Sequence, residues 1–355
     1  MRLLIILGLM MAAIGTVRAE GAQAGKAETG AHGLRLPATF AGDLPCADCA
    51  GIRYHLNLWP DQVFELRLSW LGLEERRDSM GRWSVNPERR ALMLWGTGEF
   101  PTQFAILNNQ RLRLLDTQGR PIVSDLPYEL ASQGSLEPIT DLHLSLAGMF
   151  VYFADAARLT ECQTSRSYPV AMEGDYLTLE RAYTEARSEP KEPLLVTLDG
   201  SIADRPRMEG AGTEPTLVVS RFVNVWPNET CERNRAEASL TNTYWRIVRL
   251  DDADVHAQDG RREPHILLRA GEPARFSGTV GCNQFIGGYA VSGESLHFEA
   301  VASTKIACPP PLDALERAFT EVLGRTVNWN ITAQFLEFRD AKGEPIGLFQ
   351  AVYLR

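Results

Sequence analysis

The 355-residue chain lacks an uninterrupted apolar run of the ~20 residues that a bilayer-spanning helix needs. It has no block of clustered Lys and Arg, so it lacks the means to neutralise a nucleic-acid backbone or dock on anionic lipid. No HExxH and no Ser-His-Asp arrangement is visible, and the glycine-rich run Gly278–Gly288 lacks the GxGxxG spacing of a phosphate cradle. An enzyme is therefore not expected, since no acid, base and nucleophile converge in the sequence.

What is present begins at the N-terminus. Arg2 precedes an apolar run from Leu3 to Ile14, and Val17-Arg18-Ala19 supplies small residues at the positions a signal peptidase reads. Residues 1–19 read as a cleavable signal peptide and 20–35 as a flexible leader, with Gly21 to Gly33 small, polar and aperiodic. Cleavage removes Arg2 and Arg18 and no acid, taking the net charge from −9 to −11. The nearest cysteine to the cut is Cys46, so the expectation is a soluble periplasmic chain with no lipid anchor and no transmembrane segment.

The fold class expected is mainly β with a few helices (α+β), in three small domains. Residues 36–130 read as an antiparallel β-barrel. There Ile52, Tyr54, Leu56 and Leu58 alternate with polar neighbours, as do Phe64, Leu66, Leu68 and Trp70. Residues 131–145 read as a linker. Residues 146–232 suit a five-stranded OB-like barrel with one helix, since Tyr176, Leu179, Tyr183 and Ala186 recur at helical spacing between strand-like segments. Glu232 to Ser239 reads as a second linker, and 240–355 as antiparallel strands plus a helix from Leu312 to Leu323 closed by Gly324.

Two patterns are familiar. Gly42-Asp43-Leu44-Pro45-Cys46-Ala47-Asp48-Cys49-Ala50-Gly51-Ile52, with Gly81-Arg82-Trp83 after the next hairpin, resembles the N-terminal domain of the NlpE family. The middle segment is similar to that family's OB-like second domain, through Met149 to Cys162 and Pro169-Val170-Ala171-Met172. Thr243-Tyr244-Trp245, Gly278 to Tyr289 and Thr304-Lys305-Ile306-Ala307-Cys308 resemble a META domain of the HslJ type. The first resemblance implies an envelope protein connected with copper stress, surface sensing and two-component signalling, with other envelope proteins as partners. The missing lipobox cysteine is a departure from that family.

Six cysteines are an even set in a compartment where disulfides persist. Cys162 with Cys231 and Cys282 with Cys308 read as disulfides, their loops contributing ~4 and ~3.5 kcal/mol of chain-entropy stabilisation against ~2 for Cys46 with Cys49. Cys46 and Cys49 therefore stay open between a disulfide, a redox dithiol and a metal site. Two thiolates favour soft Cu(I) or zinc, although His55 should point away from the inward Tyr54 and Leu56. Cys282 has no histidine near it in sequence and Asn283 reads as a turn residue. His265 and His297 read as packed or solvated, and Asp251-Asp252 and Glu74-Glu75 as solvated acids at turns. No cofactor is expected, with copper as the possible exception. The function expected is sensing or buffering of envelope stress through protein contacts. A copper-binding protein and a carrier of a small apolar ligand in a barrel lumen are the alternatives.

Overall fold

The computed structural model describes residues 28–29, 33–98, 100–154, 156–207 and 210–353. The signal-peptide reading lies outside the described residues. The fold is mainly β with two helices among the described residues.

β1 (Glu28–Thr29) and β2 (Arg35–Leu36) pair in a short hairpin within the segment read as a flexible leader. Leu34 is fully buried in the first barrel's core, so the leader reading fails at its C-terminal end because an apolar side chain there has a core to enter. The barrel follows as β3 (Ala38–Leu44), β4 (Ile52–Leu58), β5 (Val63–Trp70), β6 (Arg76–Asn86), β7 (Ala91–Trp95), β8 (Thr102–Asn108), β9 (Arg111–Leu114) and β10 (Glu129–Ser132). It closes where Phe40 and Ala41 of β3 face Ser132 and Ala131 of β10. At this closure a Cβ on Gly42 would lie 2.6 Å from the Glu129 carbonyl, so only glycine permits the approach. Phe40, Leu56, Phe64, Trp83 and Phe104 fill the interior, each at most 4% exposed. They occupy the space an apolar ligand would need, which overturns the carrier reading for this lumen.

The first linker is corrected in both extent and nature. β10 takes its first residues and β11 (Leu142–Phe153) its last. The residues between lie along the barrel wall. Thr39 Oγ1 accepts from the Glu137 amide at 2.7 Å, and Arg67 donates to the Thr140 and Asp141 carbonyls at 3.2 and 2.8 Å. A backbone laid on a protein surface must satisfy its polar groups, and the barrel's side chains do so.

The middle barrel is built from β11, β12 (Ala156–Glu161), β13 (Ser167–Gly174), helix α1 (Tyr176–Ala186), β14 (Leu194–Pro206) and β15 (Thr213–Trp226). Its closed order is β11-β12-β13-β15-β14, with β13 and β15 parallel. The periodic residues Tyr176, Leu179 and Tyr183 turn inward, and Phe150 meets Tyr183 edge-on at 5.1 Å. Asp175 does not cap the helix through its side chain; that carboxylate accepts from the Phe222 amide at 2.7 Å instead.

The third domain comprises β16 (Tyr244–Leu250), β17 (Ala253–Asp254), β18 (His265–Arg269), β19 (Arg275–Thr279), β20 (Gln284–Ser292), β21 (Ser295–Ser303), helix α2 (Leu312–Arg325), β22 (Asn328–Thr332), β23 (Phe335–Arg339) and β24 (Pro345–Val352). The antiparallel sheet wraps until β24 pairs back with β16, and β21 meets β22 at one register position, Ser295 with Asn328. α2 buries Phe319, Val322 and Leu323 against it. Gly324 does not end this helix. The last turn closes at Thr326, whose hydroxyl donates to the Val322 carbonyl at 2.7 Å. The charged segment read as a second linker is packed rather than free: Asn234 is fully buried, and the Ala238 amide donates to the Ala333 carbonyl at 2.8 Å.

Candidate functional site

Cys46 and Cys49 lie half-buried in the loop between β3 and β4 and form a disulfide with Cα atoms 5.3 Å apart. The bidentate Asp43–Arg53 pair at 2.7 and 2.9 Å spans the two strands at the loop's base. His55 is not part of this cluster; its Nε2 lies 2.8 Å from the Glu137 carbonyl, towards the connecting segment. As a disulfide the pair offers no metal-binding thiolate, and as a dithiol it would offer two sulfur ligands.

Cys162 and Cys231 form a disulfide with Cα atoms 4.9 Å apart. Cys162 is 2% exposed and belongs to a small apolar cluster with Leu195, Val223, Trp226, Phe335 and Leu348. Because β23 and β24 supply Phe335 and Leu348, this disulfide sits where the middle barrel meets the third domain. The Trp226 and Phe335 rings stack there at 4.0 Å and 17°. Beside them Arg221 makes a two-point contact with Glu337, both bonds 2.8 Å, while reaching Asp199 at 2.6 Å. Burial alone would push the Glu337 carboxyl up, but Arg221 and Arg339 override it and hold the group below the usual carboxylate range.

Cys282 and Cys308 form the third disulfide at the foot of α2. Gly281 before it holds φ at +110°, a region L-residues avoid, and turns β19 into the disulfide loop. Asn283 is only 4% exposed and is the hub of the turn. Its backbone N donates to Glu316 Oε1 at 2.6 Å, its amide nitrogen to Glu316 Oε2 at 2.8 Å and to the Ile306 carbonyl at 3.0 Å. Its Oδ1 accepts from the Thr304 hydroxyl and the Ile306 amide. Among the described residues, Cys282, Cys308 and Glu316 form a group whose potential ligand atoms lie within 4.8 Å of one another. Sequence reading missed Glu316 because it stands thirty-three positions from Asn283 on a helix face that looks merely polar. It passed over Asn283 as an ordinary turn residue.

Within the middle barrel, Glu161 is a second buried carboxylate. Burial raises its pKa although it accepts from the Thr164 hydroxyl and from the Gln163 and Thr164 amides. These bonds shape the β12–β13 turn that Arg82 of the first barrel grips. Arg82 donates to the Gln163 and Thr164 carbonyls at 2.9 and 2.6 Å.

Two closed barrels followed by a wrapped sheet, one disulfide in each of the loops and seams described, define a modular β protein. Residues 40–125 match the NlpE N-terminal domain, 142–232 the NlpE C-terminal OB domain and 238–353 the META domain. The chain thus carries two NlpE-type domains followed by a META domain. It is 29% identical over 199 residues to Lipoprotein NlpE of Escherichia coli K12, a match spanning 55% of this chain and 81% of that protein. Among solved structures, the Cpx pathway activator NlpE from Escherichia coli is 28% identical over 55% of this chain and 98% of its own, with a TM-score of 0.25. A Shewanella oneidensis chain, described provisionally as a lipoprotein, is 30% identical over 29% of this chain and 93% of its own, with a TM-score of 0.26.

This kinship corrects one expectation. The reading of a chain with no lipid anchor rested on the absence of a cysteine beside the expected cut, Cys46 being the nearest. The relative is a lipoprotein, and the N-terminal residues where such a signal would stand lie outside the described ones, so that reading is withdrawn. No helix among the described residues is long and apolar enough to cross a membrane.

Proposed function

We propose that this chain is a non-catalytic envelope protein that senses or buffers stress in the periplasm through contacts with other envelope proteins. The observation that carries the reading is the sequence relationship to NlpE across both of its domains, whose Escherichia coli representative is described as an activator of the Cpx pathway. The disulfide between Cys162 and Cys231 supports a redox input. It joins the middle barrel to its C-terminal tail inside the apolar cluster shared with the META domain, so reducing it loosens the seat of that domain.

The test is to overproduce the full chain in Escherichia coli lacking NlpE and carrying a Cpx-responsive reporter, with cell fractionation alongside. Reporter induction by chain recovered in the envelope fraction supports the proposal. Chain accumulating there to NlpE levels without induction removes it.

Cys46 and Cys49 are the proposed metal or redox element of the same protein. Their half-buried loop at the barrel mouth lets a thiol reductant or a soft cation reach both sulfurs, and two thiolates select Cu(I) over hard cations. Anaerobic Cu(I) titration of the reduced chain against Cys46→Ser decides it, unchanged stoichiometry being the outcome that discards the copper role.

A further inference from the structure

The disulfide between Cys282 and Cys308 is not the only tie between the two segments that carry it. Asn283 Oδ1 accepts from the Thr304 hydroxyl and the Ile306 amide at 2.7 and 2.8 Å, and its Nδ2 donates to the Ile306 carbonyl at 3.0 Å. Beyond that knot the Thr304 amide donates to the Gln284 carbonyl at 3.0 Å, and Phe285 faces Ser303 in the sheet. After Cys308, the prolines Pro309 to Pro311 have restricted φ and stiffen its approach to α2. Breaking the sulfur–sulfur bond therefore leaves both cysteines held near one another.

Glu316, in the second turn of α2, completes the group. Its Oε1 lies 3.3 Å from Cys308 Sγ. Asn283 orients the carboxylate through its backbone N–H to Oε1 at 2.6 Å and its side-chain amide to Oε2 at 2.8 Å. That side-chain nitrogen also stands 3.1 Å from Cys308 Sγ, placed to donate to a thiolate. In the disulfide, the carboxylate faces a sulfur with no proton to offer it.

The spacing suits a metal. With Zn–S ~2.3 Å and Zn–O ~2.0 Å, a sulfur and an oxygen on one tetrahedral zinc stand roughly 3.5 Å apart. Cys308 and Glu316 already have that separation, and Cys282, Cys308 and Glu316 all offer ligand atoms within 4.8 Å of one another. The two cysteine Cα atoms are 6.1 Å apart, which lets side-chain rotation spread the sulfurs to the roughly 3.8 Å of two thiolates on one zinc. All three residues are half-buried, within reach of a reductant and an ion. Two thiolates disfavour hard cations and the carboxylate disfavours Cu(I), whereas zinc takes both donor types.

We propose that Cys282, Cys308 and Glu316 form a redox-gated zinc site, shut to metal as the disulfide and opened by a dithiol reductant. The dithiol passes two electrons and two protons to the Cys282–Cys308 bond and closes into its own disulfide. Zn²⁺ then displaces both thiol protons to solvent and takes Glu316 as third ligand, with water in the fourth position. The META domain thus exchanges a covalent staple for a metal one at the foot of α2. The site is separate from Cys46 and Cys49 and stands independently of the stress-sensing reading.

The test uses the full chain carrying Cys46→Ser and Cys49→Ser, either oxidised or reduced with a phosphine. Zinc uptake is measured by competition with a chromophoric chelator, and Co²⁺ substitution reports thiolate ligation through its charge-transfer band. The oxidised chain should take up no metal, and the reduced chain one ion with a thiolate band. Cys308→Ser should abolish uptake, and Glu316→Gln should weaken it at least about tenfold, no less than the loss of an outer-shell partner. Absence of uptake on reduction, uptake that survives Cys308→Ser, or equal zinc affinity in Glu316→Gln overturns the site. Because Glu316→Gln also disturbs Asn283, its oxidised form is melted alongside. Should it melt early, the cobalt band and the Cys308→Ser comparison decide alone.

Discussion

The two seams that join the three domains are made of different materials. Between the first barrel and the OB barrel, arginines reach across to carbonyls and carboxylates: Arg82 to the Gln163 and Thr164 carbonyls, Arg166 to Asp61 and Glu65, both at 3.1 Å. Its apolar part is modest, with Val63 and Met80 packed into the OB core's flank. Between the OB barrel and the META domain lie stacked aromatics, the Arg221–Glu337 contact and a covalent staple beside them. A polar seam in which one carboxylate, Asp61, stays half exposed can part and re-form more cheaply, because water replaces part of what it loses. A seam with a desolvated ion pair and apolar contacts resists parting. The second joint should therefore move as one body, and the first is where bending belongs.

The sharpest break of this contrast is Cys162→Ala with Cys231→Ala. The 69-residue separation predicts a loss of about 4 kcal/mol, read as an early calorimetric transition in the OB and META domains while the first barrel melts unchanged. Glu337→Gln comes next, at about 2–3 kcal/mol, below a fully buried pair because Arg221 keeps Asp199. This term carries a pH signature. Glu337 titrates lower folded than unfolded, so its contribution is present above the unfolded value of ~4.3 and disappears as pH falls through the folded one. Melting curves of wild type and Glu337→Gln should converge on acidification; a gap that stays constant into strong acid refutes the assignment.

Smaller still is Cys46→Ser with Cys49→Ser, at most about 2 kcal/mol and confined to the first barrel, because the disulfide closes only a four-residue loop. Smallest is Arg166→Ala, about 1 kcal/mol, since its partner Asp61 is half exposed. Its value lies elsewhere: limited proteolysis between the first two domains should accelerate in high salt and in this variant, and equal rates would mean that the first seam is as rigid as the second.

Much of the strand and helix pattern was legible. Leu56, Leu58, Phe64 and Leu66 alternate in the sequence and turn inward in the barrel, and the spacing of Tyr176, Leu179 and Tyr183 marks the buried stripe of α1. β22 was passed over although Asn328-Trp329-Asn330-Ile331-Thr332 alternates polar and apolar residues, a strand signal only five residues long. The second half of β10 was absorbed into a linker because a four-residue closing strand resembles polar loop until β3 offers it an edge. Gly324 misled because glycine permits a helix stop without enforcing one, and Thr326 supplied the cap. At the candidate sites the cysteines were visible as residues, whereas the Asn283–Glu316 knot was not, since its halves are joined only by the packing of α2 over β20.

By itself, then, the sequence settled what depends on near neighbours: a β-rich chain, two amphipathic helices, and motif strings specific enough to mark NlpE and META domains. Those follow from periodicity and local spacing, which act over a few residues. Tertiary structure alone decided that both connecting segments lie bound to sheet surfaces, that Cys162 sits against the META domain, and that Arg76, Asn234 and Trp329 share one cleft. These are encounters between groups far apart in the chain. Their energies come from desolvation and packing at the meeting point, which no local window contains.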